Sequence, residues 1–256
     1  MSDGKQLDYE DESDVQRQVP QDGGSDLPVK EGAVFGAIAV VATYLTHLFL
    51  TMIASARTMP EVNTTGDSPV MTDLVGSWIA AGWSYLGMFG VGFEANGESI
   101  VLGNIPNNAA ALTNTPFLFS GVILFAVTVG TVMAAGYGIA RYTDADGPVE
   151  AAKAGITVVP PYLVFAALAA FVMTTTFSDY ATVMSALEAV PVLESDQFID
   201  AQEQTVTSDI EVGPSTSDAI LFAGIVFPAV FAIVGALITQ GEDIIDAAIA
   251  KVDEQT

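Results

Sequence analysis

"TDLVGSWIAAGWSYLGMFGVGF", residues 72–93, decides the architecture, because it is apolar and long enough to be a membrane span. If it crosses the bilayer, every later segment changes side. Its glycines, Gly76, Gly82, Gly87, Gly90 and Gly92, make it a poorer helix than its apolar neighbours. At helical spacing Leu74, Trp78, Tyr85 and Phe89 share one face, while Ser77, Ala80, Ala81 and Ser84 share another. Tryptophan and tyrosine favour the membrane–water boundary, and a face of small residues lets another helix approach closely.

Outward from this stretch lie four less ambiguous spans, at 33–56, 117–140, 155–177 and 219–239. None contains Asp, Glu, Lys or Arg, and each reaches the roughly 20 apolar residues that cover a hydrocarbon core of about 30 Å. The cations then choose between four crossings and five. With four and an inside N-terminus, Lys5, Arg17, Lys30, Arg141, Lys153 and Lys251 fall inside and only Arg57 outside. A fifth crossing at 72–93 moves Arg141, Lys153 and Lys251 outside, against the positive-inside rule. The expected fold is therefore an all-α, polytopic membrane bundle of four helices, with both termini cytoplasmic. Residues 72–93 then form an external re-entrant or interfacial helix.

Residues 1–31 read as a disordered acidic cytoplasmic tail, and 240–256 as a second acidic tail on the same side. The bundle proper occupies 32–239, with external segments at 57–116 and 178–218 forming an acidic cap. Within the second, "VLESDQFIDAQEQTV" (192–206) is a candidate amphipathic helix. Asp26 with Pro28, Asp146 with Pro148, and Asp218 stand where N-caps and first-turn prolines belong. Pro160, Pro161 and Pro228 fall inside their spans and are expected to kink or locally break them. Asn63 heads an N-T-T sequon, a glycosylation candidate on the outer side.

Composition excludes several function classes. The net charge of −24 offers no basic footprint for nucleic acid. Such an acidic balance is what very high salt favours, since screening shrinks self-repulsion and surface carboxylates hold water. A halophilic archaeal source fits it. The absence of cysteine removes disulfides, thiolate metal sites and thiol catalysis, and no calcium-loop spacing is present. No metal, cofactor or catalytic residue is expected.

His47, the one histidine, is the residue most able to carry chemistry. It lies within the first span, with Thr43, Tyr44 and Thr51 on its face, and an ionisable group at that depth is a functional candidate. As a polar path it lines a route across the membrane; as bundle glue it is a neutral imidazole bonded to hydroxyls. The first spans also carry small residues at close-packing intervals, Gly32 with Gly36, then Gly130, Ala134 and Gly138. A serine hydrolase built on Ser120 and His47 lacks the glycine register of an intramembrane protease, and the two residues lie at different depths.

"LPVKEGAVFGAIAVVATYLTHL" (27–48), "GWSYLGMFGVGF" (82–93), "DGPVEAAKAGITVVPPYLVF" (146–165) and "DAILFAGIVFPAVFAIVGALI" (218–238) together resemble a family of haloarchaeal multi-pass membrane proteins. Its members are uncharacterised and sometimes labelled transporters without a substrate. The resemblance implies an archaeal cell-membrane location and transfers no site residue. The expected role is a non-enzymatic accessory or scaffold subunit, with the lipid bilayer and a second copy or another membrane protein as partners. The alternative is a small oligomeric transporter or channel with His47 on its path.

Overall fold

The computed structural model describes residues 27–56, 73–111 and 119–241. Four helices in it are long and apolar enough to cross a membrane: Val29–Ser55, Ser120–Tyr142, Pro148–Val172 and Thr216–Gln240. Only 28% to 39% of their most apolar windows is buried within the protein. Val34, Ile38, Leu45 and Phe49 on the first helix, and Val164, Leu168 and Phe171 on the third, point outward. Apolar side chains turned outward at helical spacing are the pattern a hydrocarbon solvent favours, the reverse of a water-soluble bundle.

The first of these, α1 (Val29–Ser55), begins at Pro28, a few residues ahead of its expected start. α2 (Ser77–Met88) comes from the ambiguous stretch and has 12 residues, so at about 1.5 Å per residue it is too short to cross. It is not a helix lying exposed at a boundary. Ile79 through Leu86 are all buried, aromatic and small faces alike, while Trp78 (46% exposed) and, ahead of the helix, Leu74 (48%) stay open. Trp83 donates its indole N–H to the Met173 carbonyl at 2.6 Å, and the Met173 thioether fills the space that a side chain at Gly82 would need. After Phe89 the chain turns at Gly90 (φ +76°), a left-handed conformation that costs glycine little.

The turn leads into a sheet, which an all-α reading does not contain. β1 (Phe93–Ala95) and β2 (Glu98–Ile100) form a hairpin through Asn96 (φ 47°) and Gly97 (φ 85°). Asn-Gly suits such a turn because both residues tolerate positive φ. The following helix, α3 (Ser120–Tyr142), leads through Gly147 to α4 (Pro148–Ile156) and α5 (Val159–Val172). α4 and α5 are the two parts of the third membrane-length helix. That helix starts seven residues before the expected 155, and its expected last turn is instead strand β3 (Thr175–Phe177). At Pro160 and Pro161 the span is locally broken, one of the two expected outcomes. The two prolines open α5 just after a break at Thr157–Val158, where the missing N–H groups cost least.

α6 (Tyr180–Ala189) follows, and then "VLESDQFIDAQEQTV" forms no amphipathic helix. It holds a short 3₁₀ turn and the ribbon β4 (Ile199–Asp200) with β5 (Thr205–Val206). β6 (Ile210–Pro214) completes a four-stranded antiparallel sheet of order β2-β1-β6-β3. Phe93 pairs with Pro214 and Ile100, and Val212 with Ala95 and Thr175. Period-two alternation puts Phe93, Ala95, Phe177, Ile210 and Val212 inward and leaves Glu94, its partner Ser99, and Glu211 on the opposite face, toward the surface.

The last membrane-length helix changes geometry along its length. It opens as α7 (Thr216–Asp218), widens to a π-helix over Ala219–Val226, and returns as α8 (Phe227–Leu237). The cause is Pro228, which has no N–H and whose ring crowds the carbonyl four residues back. Widening accommodates it: the Phe227 N–H bonds the Phe222 carbonyl, five residues earlier.

Two expectations about helix ends and packing need correction. No side-chain cap is made by Pro28 at α1 or Gly147 at α4, and Asp218 instead accepts the Gly92 N–H at 3.2 Å. Gly32 and Gly36 do mediate close packing, against Thr157 and the Val158 carbonyl at the α4–α5 break. In α3, however, Gly130 and Ala134 face outward with open space at Gly130, and Gly138 packs on Phe35. The α3–α8 crossing is made by Gly136 and Gly235, which lie against the carbonyls of Ala232 and Met133. Arg57, Asn63 and residues 1–26 and 242–256 of the two tails fall outside the described residues, while residues 29–31, expected in the first tail, are already part of α1.

Candidate functional site

The polar groups of the bundle converge where α1, α2 and α3 meet. His47 is completely enclosed (0% exposed), with Nδ1 3.0 Å from the Ser84 hydroxyl of α2 and Nε2 3.1 Å from the Thr128 hydroxyl of α3. Hydroxyl bookkeeping fixes the tautomer. Thr128 spends its single hydrogen on the Leu124 carbonyl, at 2.7 Å, so it accepts from Nε2–H. Nδ1 is then the acceptor, and Ser84 donates to it. Both nitrogens of a neutral imidazole are satisfied, and a second proton on Nδ1 would face an O–H already pointed at it.

The same reasoning orders the neighbouring pair. Thr131 donates back to the Val127 carbonyl at 2.9 Å, so Thr43 donates to Thr131 at 2.6 Å. The Thr51 hydroxyl, with one hydrogen to donate, has the carbonyls of His47, Leu48 and Ser77 within 3.3 Å, where the end of α1 meets the start of α2. Half-buried Tyr44 reaches the Trp78 carbonyl at 3.1 Å. Thr43, Tyr44 and Thr51 thus share the face with His47, but none of them bonds the imidazole. Ser84 and Thr128 do, and they were legible only as hydroxyls within apolar stretches.

Beyond His47 the core turns aromatic. The Tyr85 ring stands edge-on to His47 at 5.5 Å, to Phe89 at 5.3 Å and to Phe165 at 5.0 Å. Phe89 in turn meets Tyr162 at 6.4 Å and Phe227 at 6.2 Å. Tyr162 and Phe227 lie midway along the third and fourth membrane-length helices, so the tip of α2 reaches their middle. The hydroxyls of Tyr85 and Tyr162 are buried without a hydrogen-bond partner in the protein.

Chemically, Ser84 and His47 have the spacing of a nucleophile and its base. Both are fully enclosed, however, and the far nitrogen binds a threonine rather than an orienting carboxylate. Ser120 opens α3 and takes no part in these bonds. Among the described residues no three His, Asp or Glu side chains group as metal ligands. The arrangement can hold three helices in register.

A sequence model matches residues 12–243, from the N-terminal tail through all four membrane-length helices. The chain belongs to the family of unknown function DUF7978. The DUF7978 match includes the residues that form α2, the sheet and the contacts of His47. No curated protein and no solved structure matches the chain.

Proposed function

We propose that this DUF7978 protein is a non-enzymatic accessory or scaffold subunit in the cell membrane of a halophilic archaeon. The observation that carries the reading is His47: its two nitrogens are occupied by Ser84 and Thr128, so the group best suited to move protons or substrate acts as a tie between α1, α2 and α3. Function then rests on outward surfaces, the sheet-bearing cap and the bundle exterior, where Gly130 and Ala134 leave α3 open to a neighbouring helix.

In this reading the four long helices cross the membrane with both termini inside. Lys30, Arg141 and Lys153, the cations among the described residues, sit at the bundle end opposite the sheet, which favours that end as cytoplasmic. α2 is re-entrant: it descends from the outer side to mid-bundle, turns at Gly90 and returns to the external sheet. Mild-detergent purification with cross-linking tests the assembly role. A stoichiometric complex that Ala134→Leu dissolves supports it, and a clean monomer overturns it.

A second reading, a small oligomeric transporter or channel, draws on the interrupted helices around Tyr162 and Phe227, since broken spans often flank binding sites. His47→Ala should then abolish flux in proteoliposomes while the protein stays folded, and unchanged flux excludes it.

A further inference from the structure

Tyr85 and Tyr162 are phenols on different helices, each 1% exposed, and neither hydroxyl meets a hydrogen-bond partner in the protein. Buried polar groups are almost always satisfied, so two orphans in one core are an anomaly that needs a cause. They are also neighbours. Both rings stand edge-on to Phe89, and Tyr85 packs on Phe165, one turn beyond Tyr162. Three departures from regular helix converge there: the end of α2, the break before α5, and the π stretch whose Gly224 packs against Leu163.

We propose that the Tyr85 and Tyr162 hydroxyls are bridged by one ordered water molecule, held at the tip of α2 within the aromatic core. The chemistry selects water over other ligands. The surrounding rings, those of Phe89, Phe165 and Phe227, carry no charge to balance an ion, and their close edge-to-face packing leaves no room for an organic molecule. Water can accept from one phenol O–H and donate to the oxygen of the other, or accept from both, so a single molecule satisfies two hydroxyls that the surrounding rings cannot. The site adds a hydrated step next to the Thr128–His47–Ser84 chain, and it holds whether or not the protein transports anything.

The experiment is a double-mutant cycle on the full-length protein in detergent, with Tyr85→Phe, Tyr162→Phe and the pair, read by thermal unfolding. Each single change should lower the midpoint by several degrees, and the pair should fall no further than the worse single, because either one breaks the bridge. Midpoints that stay or rise would mean unsatisfied hydroxyls relieved, and additive losses would mean separate partners; either result overturns the proposal. A high-resolution map of the unaltered protein gives an independent reading. Density about 2.7–3.0 Å from both phenol oxygens supports the bridge, and its absence in a well-ordered map refutes it.

Discussion

Asp73 and Asp179 hold each other's backbone: the Asp179 carboxylate accepts the Asp73 N–H at 2.7 Å, and the Asp73 carboxylate accepts the Asp179 N–H at 2.9 Å. Asp73 also accepts the Ser178 N–H and hydroxyl, while Asp179 caps α6 through the Thr182 N–H at 3.0 Å. Asn107 adds bonds to the Asp73 carbonyl and the Thr182 hydroxyl. The clasp thus fastens the entry to α2 onto the loop between β3 and α6, two stretches far apart in sequence.

The clasp should be acid-labile. Partial burial raises the Asp73 pKa, but the hydrogen bonds from Ser178 and Asp179 outweigh it and hold the carboxyl below its ordinary 3.8. A depressed folded-state value means the stabilisation is fully present above 3.8 and is lost as pH falls through the folded value. Asp73→Ala should cost about 1–3 kcal/mol at neutral pH. Thermal midpoints of the two proteins should converge below that pH; a gap that stays constant would refute the assignment.

Glycine substitutions should separate helix contacts from open faces. Gly136→Ala and Gly235→Ala push a methyl group into a facing carbonyl and should each destabilise by about 1–3 kcal/mol. Gly130→Ala meets nothing and should be neutral or stabilise by up to about 1 kcal/mol through helix propensity. Denaturant titration in micelles measures all three, and equal effects would contradict the crossing.

Accessibility decides the side of the sheet. The chain has no cysteine, and Ser99 in β2 and Asp146 before α4 are both exposed. In intact cells Ser99→Cys should react with a membrane-impermeant maleimide and Asp146→Cys only after lysis. The reverse pattern would invert the proposed topology.

Salt should govern stability. With a net charge of −24, self-repulsion grows as the screening length rises from about 3 Å in 1 M salt to about 10 Å in 0.1 M. The unfolding temperature should therefore drop markedly on dialysis from molar to 0.1 M potassium chloride. A flat response would argue against adaptation to brine.

Local chemistry made some of this fold legible in advance. Unbroken apolar runs of membrane length announce the four long helices, because that pattern depends only on composition over about 20 residues. The β1–β2 hairpin does carry a local signal, Asn96–Gly97 between short alternating runs, but it has no place in the all-α expectation. The helix expected over 192–206 failed for the opposite reason: its spacing suited a helix, but pairing Ile199 with Val206 buries the same apolar groups in a ribbon.

What the sequence by itself determined was the environment: apolar length, scarcity of cations, and one histidine within an apolar span. What only the tertiary structure decided was which distant groups meet. Ser84 and Thr128 lie 37 and 81 residues from His47, and Gly136 rather than Gly130 faces a neighbouring backbone. A helix carries small and polar residues on several faces, and periodicity sorts residues into faces without saying which face meets a partner. That choice is made by how whole helices cross, and the crossing that encloses α2 turned an ambiguous apolar stretch into the centre of the bundle.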